Sequence, residues 1–160
     1  MPTLHMICGK IAAGKSTLAA ELAREANTVL IGEDFWMTQL YPGEVLTIED
    51  YSKYSQRLCA AMGPHIVQLL QAGVSVVLDF QANTLKRRAW MRGIIDQSGA
   101  AHRLHHLDMS DQVCLARLHK RNAARTHEYA VTDAEFEQFT RHFVAPTPDE
   151  GFDVVVHGVT

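Results

Sequence analysis

A chain of 160 residues, 47% hydrophobic and 21% charged, has room for one domain with a substantial core and the composition of an ordinary globular protein. A net charge of −3 argues against broad affinity for nucleic acid or membrane surfaces, and the strand-sized apolar runs make a signal peptide or membrane span unexpected. Three scattered cysteines, Cys8, Cys59 and Cys114, suit a reducing cytoplasm and suggest neither a disulfide framework nor a zinc site.

Leu4-His5-Met6-Ile7-Cys8 reads as a first buried strand. It runs into Gly9-Lys10-Ile11-Ala12-Ala13-Gly14-Lys15-Ser16-Thr17, which matches G-x-x-x-x-G-K-[ST]. The two glycines let the backbone curl so that its N–H groups cradle phosphate oxygens. Lys15 supplies an ammonium to the β- and γ-phosphates, and the Ser16 hydroxyl suits a bridging Mg²⁺. A helix is expected from Lys15 to Ala26, its N-terminus turned toward the same anion.

Thr28-Val29-Leu30-Ile31 reads as a second strand, closed by Gly32 and followed by Glu33, Asp34, Phe35 and Trp36. Residues 37–46 read as a loop, with Pro42-Gly43 as its turn. Thr47 and Asp50 resemble a helix cap, and Tyr51, Tyr54, Leu58, Met62, Ile66, Leu69 and Leu70 then recur at helical spacing. Gly63-Pro64 is expected to kink or split that helix. Residues 74–79 form the clearest buried strand, with the near-continuous β-branched run that a parallel sheet covered on both faces demands. A helix follows from about Thr84 to Gln97, then a strand over 102–108, a helix capped by Ser110, and a basic loop near 121–130. Thr132 and Glu135 make a second capping box before Phe136, Phe139 and Phe143, and residues 153–157 form the last strand. Nine histidines do not amount to a metal signal, because His105 and His106 are adjacent on a strand and face opposite sides.

This alternation predicts an α/β fold, a five-stranded parallel sheet with helices on both faces, whose ligands bind beyond the carboxyl ends of the strands. There the sequence places the 9–17 loop, Asp34, Asp79 and Asp108. Asp79, at the end of Val-Val-Leu-Asp, fits a carboxylate that works with Ser16 on Mg²⁺. Asp108 fits a structural turn. Arg117 and Arg121 share one helix face, with Arg125 a turn further on, and suit stacking on adenine and neutralising a transferring phosphoryl group. Within Lys86-Arg87-Arg88, one arginine, Arg88 for preference, is a candidate for reaching a polar substrate. Phe35, Trp36 and Tyr41 either wall a substrate pocket or pack beneath their loop. Of the neighbours Glu33 and Asp34, an extended segment would turn only one toward the site.

With these motifs in place, nearly the whole chain resembles the small P-loop kinases, the group that includes chloramphenicol phosphotransferase, zeta toxins and the kinase domain of phage polynucleotide kinases. The resemblance implies a strand order of 2-3-1-4-5. It also implies that Asp34 binds and deprotonates the acceptor hydroxyl. Asp79 followed by a helix carrying Arg88 is similar to that group's Asp-x-(T/N) segment ending in arginine, here with Phe80-Gln81-Ala82-Asn83 displacing the usual residue. Arg117 and Arg121 resemble lid arginines. Phe143-Val144-Ala145-Pro146 through Glu150 resembles a tail of uncharacterised ATP-binding members.

The expectation is a single kinase domain over residues 1–160, with a lid-like segment near 117–131, located in the cytoplasm. It would move the γ-phosphate of Mg-ATP to a hydroxyl of a small molecule, with Lys15, Asp34 and Arg121 as the catalytic set. No protein partner is inferable. The alternatives are a polynucleotide 5′-hydroxyl kinase, against which the acidic neighbourhood of Asp34 argues, and an ATP-binding protein with little turnover.

Overall fold

The computed structural model describes residues 1–124 and 130–158. The apolar runs become five strands: β1 (Thr3–Gly9), β2 (Thr28–Gly32), β3 (Ser75–Gln81), β4 (Ala101–Asp108) and β5 (Val154–Gly158). All pair in parallel, in the order β2-β3-β1-β4-β5, as the resemblance implies. Between them run α1 (Lys15–Leu22), α2 (Glu33–Leu40), α3 (Ile48–Gln71), α4 (Leu85–Ser98), α5 (Asp111–Ala124), α6 (Asp133–His142) and a 3₁₀ turn at Pro148–Glu150. Among the described residues no helix is long and apolar enough to cross a membrane.

Strand alternation divides the core into two layers. β1 sends Leu4, Met6 and Cys8 to one face, against Leu58, Met62, Ile66 and Leu70 of α3 and Met91 and Ile94 of α4. It sends Ile7 to the other, against Ala19 of α1, Cys114 and Leu118 of α5 and Phe136 of α6. Each large aliphatic side chain so buried stabilises the fold by about 1.5–3 kcal/mol before entropy is counted.

The caps read from the sequence are present. Thr47 accepts from the Asp50 amide at 3.0 Å and Ser110 from Val113 at 3.2 Å; Thr84, read only as the start of its helix, caps it too, accepting from Arg87 at 3.2 Å. Thr132 and Glu135 complete a reciprocal capping box.

Four local expectations are corrected. α1 ends at Leu22, short of Ala26. The expected loop begins later, because Glu33–Leu40 is helical. Two carboxylates in its first turn complement the helix dipole, and Met37 buries on its inner face. Pro64 neither splits nor ends α3, which runs unbroken for 24 residues. The carbonyl that Pro64 leaves without an intrahelical partner belongs to Ala60, and both residues lie on the exposed face, so the helix loses a bond there without burying an unpaired group. Gly63 serves packing, since a Cβ there would meet Trp90 Nε1 at 3.2 Å. Finally, β3 continues past Asp79 to Gln81, and its register with β1 shifts between Met6 and Ile7, so that Ile7 pairs with Gln81. Such an irregularity re-aims side chains beside a site.

Candidate active site

The loop between β1 and α1 has the backbone its glycines allow. Ala12 and Gly14 both have positive φ, 63° and 105°. Gly9 packs so closely that a Cβ would sit 3.1 Å from Leu107 Cβ. Gly14 is the N-cap of α1 and supplies no side-chain cap, which leaves the first amides of the helix for an anion.

Lys15 Nζ donates to the carbonyls of Gly9 at 2.7 Å and Lys10 at 2.8 Å. Burial lowers its pKa to about 8, against the opposing pull of Asp79 and Asp34. An ammonium this poorly solvated gains strongly from any phosphate brought beside it. Ser16 Oγ donates to Asp79 Oδ2 at 3.2 Å, so the irregular end of β3 brings together the hydroxyl and carboxylate expected to share an ion. Among the described residues no group of three or more His, Cys, Asp or Glu is arranged to hold a metal alone. The pair fits the divalent ion of a nucleotide complex, whose other ligands are phosphate and water oxygens.

From α5, Arg117 Nη1 donates to the Ala13 carbonyl at 3.2 Å. Arg121 stands a turn further along, its Nε buried without a hydrogen-bond partner among the described residues. Arg125 lies outside the described residues, as does the 125–129 part of the lid-like segment.

These groups converge on one cavity of about 580 Å³, lined by residues 11–17, Glu33, Asp34, Tyr51, Asp79, Gln81, Arg117, Arg121, Val131 and Phe139, among others. A second cavity of about 430 Å³ shares Asp34, Tyr51, Val131 and Phe139 with it and extends over Met37, Tyr41, Val45, Leu46 and Ile48. Asp34 thus stands where the two cavities meet.

Other expected site residues lie elsewhere. Lys10 points out of the loop and pairs with Asp111 at 2.5 Å. Gly9 underpins the loop and lines neither cavity. Trp36 packs against the core and borders neither cavity. Arg88 is 1% exposed. Its guanidinium bonds Glu150 at 2.7 and 3.3 Å and the carbonyls of Ala82 at 2.8 Å and Val144 at 2.7 Å. It cannot reach a substrate; it ties the C-terminal tail to the end of β3. Glu33, expected to turn away, also lines the larger cavity, because successive residues of a helix do not point to opposite sides.

Sequence reasoning overlooked two further contributors. Asn83 Oδ1 accepts from Gly9 N at 2.9 Å, and its Nδ2 donates to Gly9 O at 2.8 Å. Tyr51 donates to Glu33 Oε1 at 2.8 Å, and Glu33 Oε2 also accepts from Ser55 at 2.5 Å and faces Arg87 at 3.2 Å. Burial, and then the Glu33 carboxylate, raise the Tyr51 pKa well above its ordinary value. The displaced asparagine was a visible signal for the first. The helical period of α3 hid the second, since it made Tyr51 read as core.

No curated protein matches the sequence. Solved structures match its fold. A protein of Chloroflexus aurantiacus J-10-fl is 20% identical, with 98% of this chain and 85% of that one covered at a TM-score of 0.76. Kti12 of Chaetomium thermophilum, solved with ADP-AlF3, is 14% identical over 98% of this chain and 89% of its own, at 0.73. A sugar kinase from Janibacter sp. HTCC2649 is 18% identical over 99% and 86%, at 0.67. The phosphate-loop fold is therefore shared while the side chains have largely diverged. The family model described as an AAA domain, AAA_33, matches residues 4–146, and the chain belongs to that family.

Proposed function

We propose that this protein is a kinase that transfers the γ-phosphoryl group of Mg-ATP to a hydroxyl of a small molecule. The observation that carries the reading is the position of Asp34, at the junction of the phosphate-loop cavity and the smaller cavity beside it. Likeness to a sugar kinase and to a nucleotide-bound Kti12 supports it. We read residues 1–160 as one kinase domain with a lid near 117–131.

The loop amides and Lys15 would hold the β- and γ-phosphates, with Ser16 and Asp79 on the ion, whose charge offsets that building on the phosphate oxygens. Arg117 would flank the nucleotide, and Arg121 would meet the phosphoryl group in flight. The Asp34 carboxylate accepts a hydrogen bond from the acceptor hydroxyl and holds that oxygen in line. As the new O–P bond forms, the bond from phosphorus to the bridging oxygen breaks and ADP leaves. The hydroxyl proton passes to Asp34 and then to water. Phosphoryl transfer is loose at its transition state, so positioning is the larger part of this work.

Asp34→Asn tests the reading. It is expected to fold and bind ATP normally while acceptor-dependent ADP release falls by ~10² or more, the scale of a general-base group. Transfer at the wild-type rate would overturn the assignment. A polynucleotide 5′-hydroxyl acceptor is disfavoured by the carboxylates of Glu33, Asp34 and Glu135 that line the two cavities.

A further inference from the structure

We infer that the acceptor is an amino alcohol, a hydroxyl compound with an apolar body and an ammonium group; this rests on the phosphotransfer reading. The smaller cavity has the size of a small-molecule site, about 430 Å³, and the charged side chains that line it, among the described residues, are both carboxylates. Met37, Val45, Leu46, Ile48 and Val131 give it apolar walls, and Tyr41, Tyr51 and Phe139 add aromatic faces. Thr38 and Thr47 add hydroxyls that can donate or accept, while the charged groups at the junction and far wall only accept hydrogen bonds. Asp34 and Glu135 are carboxylates. Tyr51 has committed its proton to Glu33 and so offers lone pairs. The two carboxylates favour a ligand that brings donors: its hydroxyl to Asp34 and a positive group to Glu135, with aromatic faces favouring a cation further. A carboxylate or phosphate on the ligand would instead face like charge.

Glu135 also has a structural duty, because Oε1 accepts from the Thr132 amide at 3.1 Å. That duty makes the test clean. Glutamine serves a capping box as glutamate does, so Glu135→Gln keeps the cap and removes the charge.

Three probes share a phenyl ring and a benzylic hydroxyl and differ in one group: phenylethanolamine carries an ammonium, phenylethanediol a neutral hydroxyl, and mandelate a carboxylate. Binding is measured by calorimetry with the intact protein, ADP and Mg²⁺, and transfer by ADP release with ATP. Affinity is expected to fall from amine to diol to mandelate. In Glu135→Gln the preference for amine over diol should shrink about fivefold, the scale of one partly exposed ion pair. Mandelate binding as well as the amine, an amine that does not bind, or a preference unchanged by Glu135→Gln would each overturn the inference. If amine preference holds without transfer, the kinase reading fails and the pocket chemistry stands. If mandelate is phosphorylated best, the kinase reading stands and this inference fails.

Discussion

Asn83 grips Gly9 by both ends of its residue, its carboxamide oxygen on the amide at 2.9 Å and its nitrogen on the carbonyl at 2.8 Å. The carboxamide matches the peptide group in donor and acceptor, so it holds the root of the phosphate loop as a further strand would. The Asn83 carbonyl in turn accepts from Val144 at 2.8 Å, so the loop root is joined to the C-terminal tail. Asn83→Ala should lower stability by about 1–3 kcal/mol, the sum of two ordinary hydrogen bonds, and weaken ATP binding. Asn83→Asp keeps the acceptor, loses the donor and should fall between. Urea unfolding and nucleotide titration check both; unchanged nucleotide affinity in Asn83→Ala would confine the clamp to stability.

Lys15 and Lys10 should separate cleanly. Lys15 sits over the loop carbonyls, while Lys10 pairs with Asp111, whose side chain is 57% exposed. Exposed pairs contribute about 0–1 kcal/mol. Lys15→Ala should abolish transfer and Lys10→Ala should leave stability and transfer close to wild type. Equal losses of transfer from the two changes would refute the loop geometry.

Glu33 is a structural anion beside Asp34 at the proposed acceptor site. Only 2% exposed, it takes hydrogen bonds from Tyr51 and Ser55 and faces Arg87. Arg87 Nη1 is itself buried without a hydrogen-bond partner among the described residues. Removing the anion strands a mostly buried guanidinium, so Glu33→Gln should cost about 3 kcal/mol of stability. Denaturant titration checks the cost, and a value near zero would show that water, not Glu33, satisfies Arg87.

Three histidines line up across the neighbouring strands β1, β4 and β5. His5 Nδ1 lies 3.1 Å from His105 Nε2, and His105 Nδ1 lies 3.0 Å from His157 Nε2. Burial, then the neighbouring His5 and His157, lower the His105 pKa from 6.5 to about 4. Between those values the unfolded ring binds a proton and the folded one does not, so protons favour unfolding. Stability should hold above pH 6.5 and decline as pH falls toward about 4. His105→Gln should flatten that decline. A melting temperature with the same pH slope in both proteins would exclude the array as its source.

The sequence by itself determined the fold class, the phosphate loop and most helix caps. These rest on local spacing: a motif of eight contiguous residues, period-two and period-3.6 apolar patterns, and hydroxyls three residues from the amide they cap. The convergence of Lys15, Ser16, Asp34, Asp79, Arg117 and Arg121 on one cavity follows from the rule that parallel strands present their carboxyl ends together. Tertiary structure alone decided the fate of the other charges. Arg87 and Arg88 are adjacent in the same helical turn, yet one pairs with Glu33 and the other with Glu150, 62 residues away. Nothing local distinguishes them, because a buried charge is defined by the partner that long-range packing delivers to it. Tyr51 was likewise legible as an apolar-face residue and illegible as the group joining two cavities, since a side chain's period fixes the face it takes and only the packing of neighbouring elements fixes what that face meets.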